Sequence, residues 1–344
     1  MSDVGRQRPV FSQIVGIAFV LANLASASTP ASAAPEVVAF DVTSRPIREF
    51  RIGRDETMFG PFEFVGGLEM TGASRDFGAL SAFRFLSPGA DFIGVADTGF
   101  WFFGAIDRDG EGRPTEVSGF RMVQMVDATG TATDRKWEVD AEGLDVKDGV
   151  ATVGFERNHR VAQFRIEPDG MGPPFATLDY LVPTRELRQN KGFETVVRAH
   201  PTGQHEGGLV IVSERSIDGD GNIFAAIIEG PNKGVFKVKR NGEFDITDGA
   251  FLPDGDLLLL ERSFSMAQGV KMRLRRIYGE SVARGSLADG PVLFEADMAY
   301  QIDNMEGLDV WQRADGATMV SLMSDDNHSL LQRNLYLEFV LHGD

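Results

Sequence analysis

The sequence contains no cysteine. Disulfides, thiolate nucleophiles and cysteine-ligated zinc are excluded, so stability must come from the core, from closure of the fold or from bound metal. Histidine is scarce, at 5 residues, which leaves few ligands for zinc or copper. There is no Gly-x-Ser-x-Gly elbow, no His-Glu-x-x-His, no Walker loop and no dinucleotide fingerprint in a strand-to-helix setting, which disfavours the usual α/β serine-esterase chemistry. After Leu24 no run approaches ~18 consecutive apolar residues, so no later segment reads as a membrane span. An excess of basic residues is also lacking. With 34 Lys and Arg against 51 Asp and Glu, the formal charge of −17 repels nucleic acid and anionic membranes and attracts cations.

What is present points to β structure. Glycine (39) outnumbers proline (15) and phenylalanine (26) dominates the aromatics, a mix suited to short strands and tight turns. A hydrophobic fraction of 42% over 344 residues can fill one large all-β core. The N-terminus reads as an address: Arg6 and Arg8 precede an apolar stretch at 14–24, and small residues lead to Ala31-Ser32-Ala33. This pattern predicts a Sec-type signal peptide over 1–33, cleavage near Ala33, and a mature single domain over 34–344 that is periplasmic or secreted.

A repeat occurs five times. Its first half is Ala79-Leu80-Ser81-Ala82-Phe83, Ala141-Glu142-Gly143-Leu144-Asp145, Phe193-Glu194-Thr195-Val196, Asp248-Gly249-Ala250-Phe251 and Met305-Glu306-Gly307-Leu308-Asp309. A turn and a β-rich run lead each time to an acid followed by a polar or charged residue: Asp97-Thr98, Glu156-Arg157, Glu214-Arg215, Glu261-Arg262 and Asp325-Asp326. Turns such as Lys147-Asp148-Gly149 and Pro253-Asp254-Gly255 make the two halves a hairpin. Outer strands follow at 161–166, 234–239 and 271–277. Such repeats predict a single β-propeller with five readable blades and a sixth left open. The last blade lacks an outer strand beyond 334–341, which 37–42 or 62–69 would supply, closing the ring.

In a propeller the inner strands line a central channel, so equivalent residues of successive blades converge. Asp97, Glu156, Glu214, Glu261 and Asp325 are placed at one mouth, with Glu142, Glu194, Asp248 and Glu306 from the neighbouring strands. So many carboxylates need a compensating cation, and hard oxygen ligands suit Ca²⁺. Arg157, Arg215 and Arg262 would clamp a phosphate or carboxylate. His159 and His328 follow two of the signatures and are candidate proton carriers, although exposed loop positions account for both. Asp218-Gly219-Asp220-Gly221-Asn222 imitates an EF-hand loop but has Ile223 where glycine is required, so it reads as a solvated hairpin. Trp101, Phe102 and Phe103 read as packing between blades.

These residues resemble the phytase-like family described as having esterase-like activity. The resemblance covers most of 62–340 and rests on Val65-Gly66-Gly67-Leu68, Asp140-Ala141-Glu142-Gly143-Leu144, Lys191-Gly192-Phe193-Glu194, Glu261-Arg262-Ser263-Phe264, Asn304-Met305-Glu306-Gly307-Leu308 and Ser324-Asp325-Asp326-Asn327. It implies a propeller and calcium-dependent hydrolysis of ester or phosphate ester bonds. The expectation is a monomeric hydrolase of a small anionic ester or phosphorylated substrate. Glu142, Glu194, Glu261, Glu306, Asp97, Asp325 and Asp326 are its metal ligands, and Glu214, Arg215, Glu156, Arg157 and Arg262 its catalytic groups. The alternative is a non-catalytic ligand- or protein-binding propeller with structural calcium. A quinone-dependent sugar dehydrogenase would share fold and metal but would need a positioned histidine base.

Overall fold

The computed structural model describes residues 1–2, 37–74, 76–133, 135–168 and 170–343. The apolar leader and its cut at Ala33 lie outside the described residues, and every strand belongs to the compact unit Ala34–Asp344. Five antiparallel sheets form the blades of a β-propeller. From the axis outward, blade 1 runs Leu80–Phe85, Asp91–Ala96, Phe100–Arg108 and Pro114–Gln124. Blade 2 is Ala141–Lys147, Val150–Phe155 and Arg160–Glu167, edged by Ala176–Leu178. Blade 3 is Phe193–Arg198, Leu209–Ile217, Ile223–Ile227 and Gly234–Val238, and blade 4 is Asp245–Phe251, Leu257–Ser265, Gly269–Ile277 and Val292–Ala296. Blade 5 is Asn304–Gln312, Thr318–Asp325, Asn334–Leu341, Phe62–Gly72 and Val42–Ile47.

Local sequence explains the hairpins. Between Lys147 and Val150 the chain reverses through Asp148 (φ 50°) and Gly149 (φ 74°), the two positive values that a two-residue turn between right-twisted strands needs. The second strand of each blade is covered on both faces by neighbouring blades, so it reads as a continuous apolar run: Leu257 to Leu260 are all 0% exposed. Trp101 packs edge-on against Phe164 of blade 2, and Phe102 stacks on Phe120 within blade 1.

The segment 62–69 does supply the missing strand, pairing Phe62 to Met70 with Leu341 to Asn334. The other candidate, 37–42, divides between two blades. Val37–Ala39 edges blade 1, while Val42–Ile47 edges blade 5, so the chain start staples the two together. Among the described residues there is no sixth blade.

Deeper on the axis the channel is filled. The Arg84 guanidinium, from blade 1, holds both oxygens of Asp248 in blade 4 at 2.8 and 2.9 Å and donates to the carbonyls of Leu308 (2.8 Å) and Gly249 (3.2 Å). Burial opposes its charge, but Asp248 more than offsets this, and the guanidinium is held in its ionised form. Asp248 is therefore the counterion of a buried plug, not a member of the mouth.

Candidate functional site

Each inner strand carries a β-bulge at the same point. The register slips at Ser81, Glu142, Glu194, Thr247 and Glu306, where one extra residue is left unpaired. A bulge re-aims its side chain, and here it turns three glutamates toward a common space. On each second strand, the residue after the partner of the one preceding the bulge is Asp97, Glu156, Glu214, Arg262 and Asp325 in turn. Blade 4 thus departs from the repeat: Thr247 replaces the inner acid, and Arg262 replaces the outer one.

That register corrects the sequence reading of blade 4. Glu261 pairs across to Ile246, so its side chain points to the opposite face from Arg262. It is 1% exposed and held by Arg275 at 2.6 Å and by Arg273. It is a structural counterion for two arginines and lies outside the mouth.

The remaining acids converge. Ligand oxygens of Asp97, Asp140 and Glu142 lie within 4.8 Å of one another, as do those of Glu156, Glu194 and Glu214. Glu306 and Asp325 complete the group, since Glu306 is felt by Glu142, Glu194 and Asp325 alike. Four cations answer them. Lys136 reaches Asp97 and lies 3.6 Å from Asp140, which also takes Arg157; Lys191 holds both oxygens of Glu214 at 2.7 Å. Arg262 spans Glu306 (3.4 Å), Glu214 (3.8 Å) and the side chain of Asn304.

Eight carboxylates against four cations leaves an imbalance, and it falls on particular residues. Among the described residues Glu142 and Glu194 have no hydrogen-bond or ion-pair partner, although they are only 9% and 6% exposed. Burial first, then the neighbouring carboxylates, push both well above the usual range. Burial lifts Glu156 to about 7 even though the Gly192 amide donates to it at 3.0 Å. Glu214 and Glu306 are also raised by burial, opposed by Lys191 and Arg262 respectively. Asp325 is raised well above its usual value by burial and by Glu306, against one hydrogen bond from the Asn327 amide.

The proposed arginine clamp does not assemble. Arg262 bridges acids of different blades and Arg157 is tied to Asp140 at the edge of the cluster, while Arg215 faces away, toward Asp245 (3.4 Å) and Glu243 (3.5 Å). Asp326 caps the turn at Ala79 and His328 through their amides instead of joining the ring. His328 is exposed, whereas His159 is half-buried beside Gly192, near Glu156. Asp218 organises its own hairpin, accepting the amides of Asp220 and Asn222 and pairing with Lys237, and Glu229 is drawn away to Arg198. Asp140, Lys136, Lys191 and Asn304 are site residues that the repeat of acids did not single out. Asp140, Lys191 and Asn304 nevertheless stand in the motifs of the family resemblance.

A divalent cation fits what is here. The donors are all carboxylate oxygens, as Ca²⁺ prefers, and among the described residues two buried carboxylates, Glu142 and Glu194, have no direct hydrogen-bond or ion-pair partner. Glu142 with Asp97 and Asp140, and Glu194 with Glu214, are the residues that would hold it.

A model of the family "Phytase-like: Esterase-like activity of phytase" matches residues 75–328. The sequence matches no curated protein. Among solved structures it is similar to an endo-arabinase from Bacteroides thetaiotaomicron VPI-5482, at 12% identity and a TM-score of 0.48, covering 78% of this chain and 96% of that one. It is also similar to the PQQ-bound form of an aldose sugar dehydrogenase from Streptomyces coelicolor, at 11% identity and a TM-score of 0.40, covering 87% and 98%. At these scores the fold is defined by the five blades themselves.

Proposed function

The chain belongs to the phytase-like family, matched over residues 75–328, and from that premise we propose that it is an exported, calcium-dependent hydrolase of phosphate or carboxylate esters. The observation that carries this reading is that Glu142 and Glu194, buried and without a hydrogen-bond or ion-pair partner among the described residues, each belong to a cluster of three carboxylates. Calcium bound there would polarise an ester oxygen and acidify a water.

The chain's own residues supply the rest. Arg262 presents a guanidinium at the mouth, where an anionic substrate oxygen gains charge as it reacts. Glu156, raised to about 7, is suited to take a proton near neutral pH. Lys136 pairs with the flanking acids Asp97 and Asp140, and Lys191 with Glu214, holding them in place. Thr247 and Ser81, both buried, stand where glutamates occupy the other blades, so blades 4 and 1 bring no inner acid to the mouth. The leader at 1–33 supports export, and the charge of −17 supports a small-molecule substrate over nucleic acid or membrane.

The deciding experiment is hydrolysis of a panel of phosphate and carboxylate esters with calcium and with chelator, beside the Glu194→Gln variant. Turnover that needs calcium and disappears in the variant is expected. A second reading, a binding propeller with structural calcium, is favoured by the engagement of Arg157 and Lys191 with acids instead of open space. Calcium-dependent stabilisation without turnover on any ester would establish it.

A further inference from the structure

A groove of about 360 Å³ opens between blades 1 and 2, beside the mouth. Its apolar lining includes Met125, Phe155 and Phe164, which are buried, and Trp137, whose ring is half exposed. Such a volume, lined by polar and apolar groups in similar measure, is within the size range that small-molecule sites use. The groove is tied to the acidic centre by the one-turn helix Lys136–Val139: Lys136 reaches Asp97 on one side, and Trp137 lines the groove on the other.

One charge in the groove is unanswered. Arg160 lies flat on Phe155, 3.7 Å from the ring centroid, and donates only to backbone carbonyls, those of Asn158 (3.2 Å) and Glu138. No carboxylate pairs with it among the described residues. The nearby Glu138 carboxylate is taken by Arg135 and Thr133. Burial brings the guanidinium down to about 10, with only the charge of Glu138 opposing. In a chain with 51 acids and 34 bases, a half-buried arginine with no acid on it leaves a place for an anion from outside.

We propose that this groove binds the aromatic, carboxylate-bearing part of the substrate, with the ring against Trp137 and the carboxylate on the Arg160 fork. It rests on the hydrolase reading only in calling that ligand a substrate. The chemistry it selects is an aryl or similarly flat apolar group carrying one anionic oxygen pair, which distinguishes the ligand from a compact polyphosphate.

The test is calorimetric titration of the mature protein with 2-naphthoate, and with uncharged 2-naphthamide, in chelator so that no metal can hold the carboxylate. Saturable binding of naphthoate is expected, weakened about tenfold or more in Arg160→Met and in Trp137→Ala. Naphthamide should bind weakly and be indifferent to Arg160→Met. Arg160→Lys, which keeps the charge and loses the fork, should fall between wild type and Arg160→Met, and it serves as the test if the methionine variant does not fold. Absence of saturable binding, or equal affinity in wild type and all the folded variants, overturns the inference. Naphthoate binding that depends on Arg160, in a protein that turns over no ester, would sink the hydrolase reading and leave the site standing. Turnover with Arg160-independent binding would do the reverse.

Discussion

Replacing Glu156 with Gln should stabilise the metal-free protein at alkaline pH and leave it unchanged at acid pH, although the substitution strikes the centre of the site. The folded carboxyl, 7% exposed, is raised to about 7 from an ordinary value of 4.5. Below 4.5 both folded and unfolded chains hold the proton, and the stability is fully present. Between 4.5 and 7 the unfolded chain gives up its proton first, so stability falls as pH rises; above about 7 the loss is constant. At about 1.4 kcal/mol per unit, the loss reaches at most about 3.5 kcal/mol. Glutamine has no such titration, its oxygen can still accept from Gly192, and its amide would donate toward Glu194 and Glu214. Urea unfolding in chelator should show a gap between variant and wild type that is near zero at about pH 4 and opens to about 3.5 kcal/mol at about pH 8. Calcium should narrow or reverse the gap, because it stabilises the protein that binds it more tightly. A gap that is independent of pH, or a variant less stable than wild type in chelator at about pH 8, would refute the reasoning.

Other perturbations separate the mouth from the architecture. Glu261→Gln should leave calcium affinity intact while costing about 3–5 kcal/mol in urea unfolding, since Arg273 and Arg275 are left buried without their acid. Asp248→Asn should cost a similar amount, on the order of 3–5 kcal/mol, and the double change Arg84→Met with Asp248→Leu less than Asp248→Asn alone. Arg262→Ala should lower calcium-dependent ester turnover by about a hundredfold. Arg157→Ala and Arg215→Ala, whose side chains are a third or more exposed, should stay close to wild type in the same assay.

The fold was legible because its repeat is written twice per blade, and the closing strand because an 8-residue run at the C-terminus had no partner nearby in sequence. Glu142, Glu194 and Glu306 were found because the acid sits on the bulge in blades 2, 3 and 5. Blade 4 was read one residue out of phase. Asp248-Gly249 imitates Glu142-Gly143, and Glu261-Arg262 imitates Glu156-Arg157, but the pairing of Ile246 with Glu261 shifts both. In a strand one residue is the difference between two faces, so the shift moves Glu261 out of the site and Arg262 into it. The cations Lys136 and Lys191 lie in connections outside the repeated acids, and only tertiary structure brings them onto Asp97 and Glu214.

The fastening of the ring bears on how the chain comes to be folded. Phe62–Gly72 is paired on one edge by the nearby Val42–Ile47 but on the other by Asn334–Leu341, more than 250 residues along the chain. Blades 2 to 4 are assembled from neighbouring stretches of chain, but the fifth has to wait for both ends. Loop closure over that distance is the slow step expected of such a topology. A product cut short near its C-terminus would therefore fail at its opposite end as well, carrying an 11-residue strand with an open hydrogen-bonding edge. The last blade thus works as a checkpoint: a chain that carries Asn334–Leu341 buries that edge, and one that lacks it displays it.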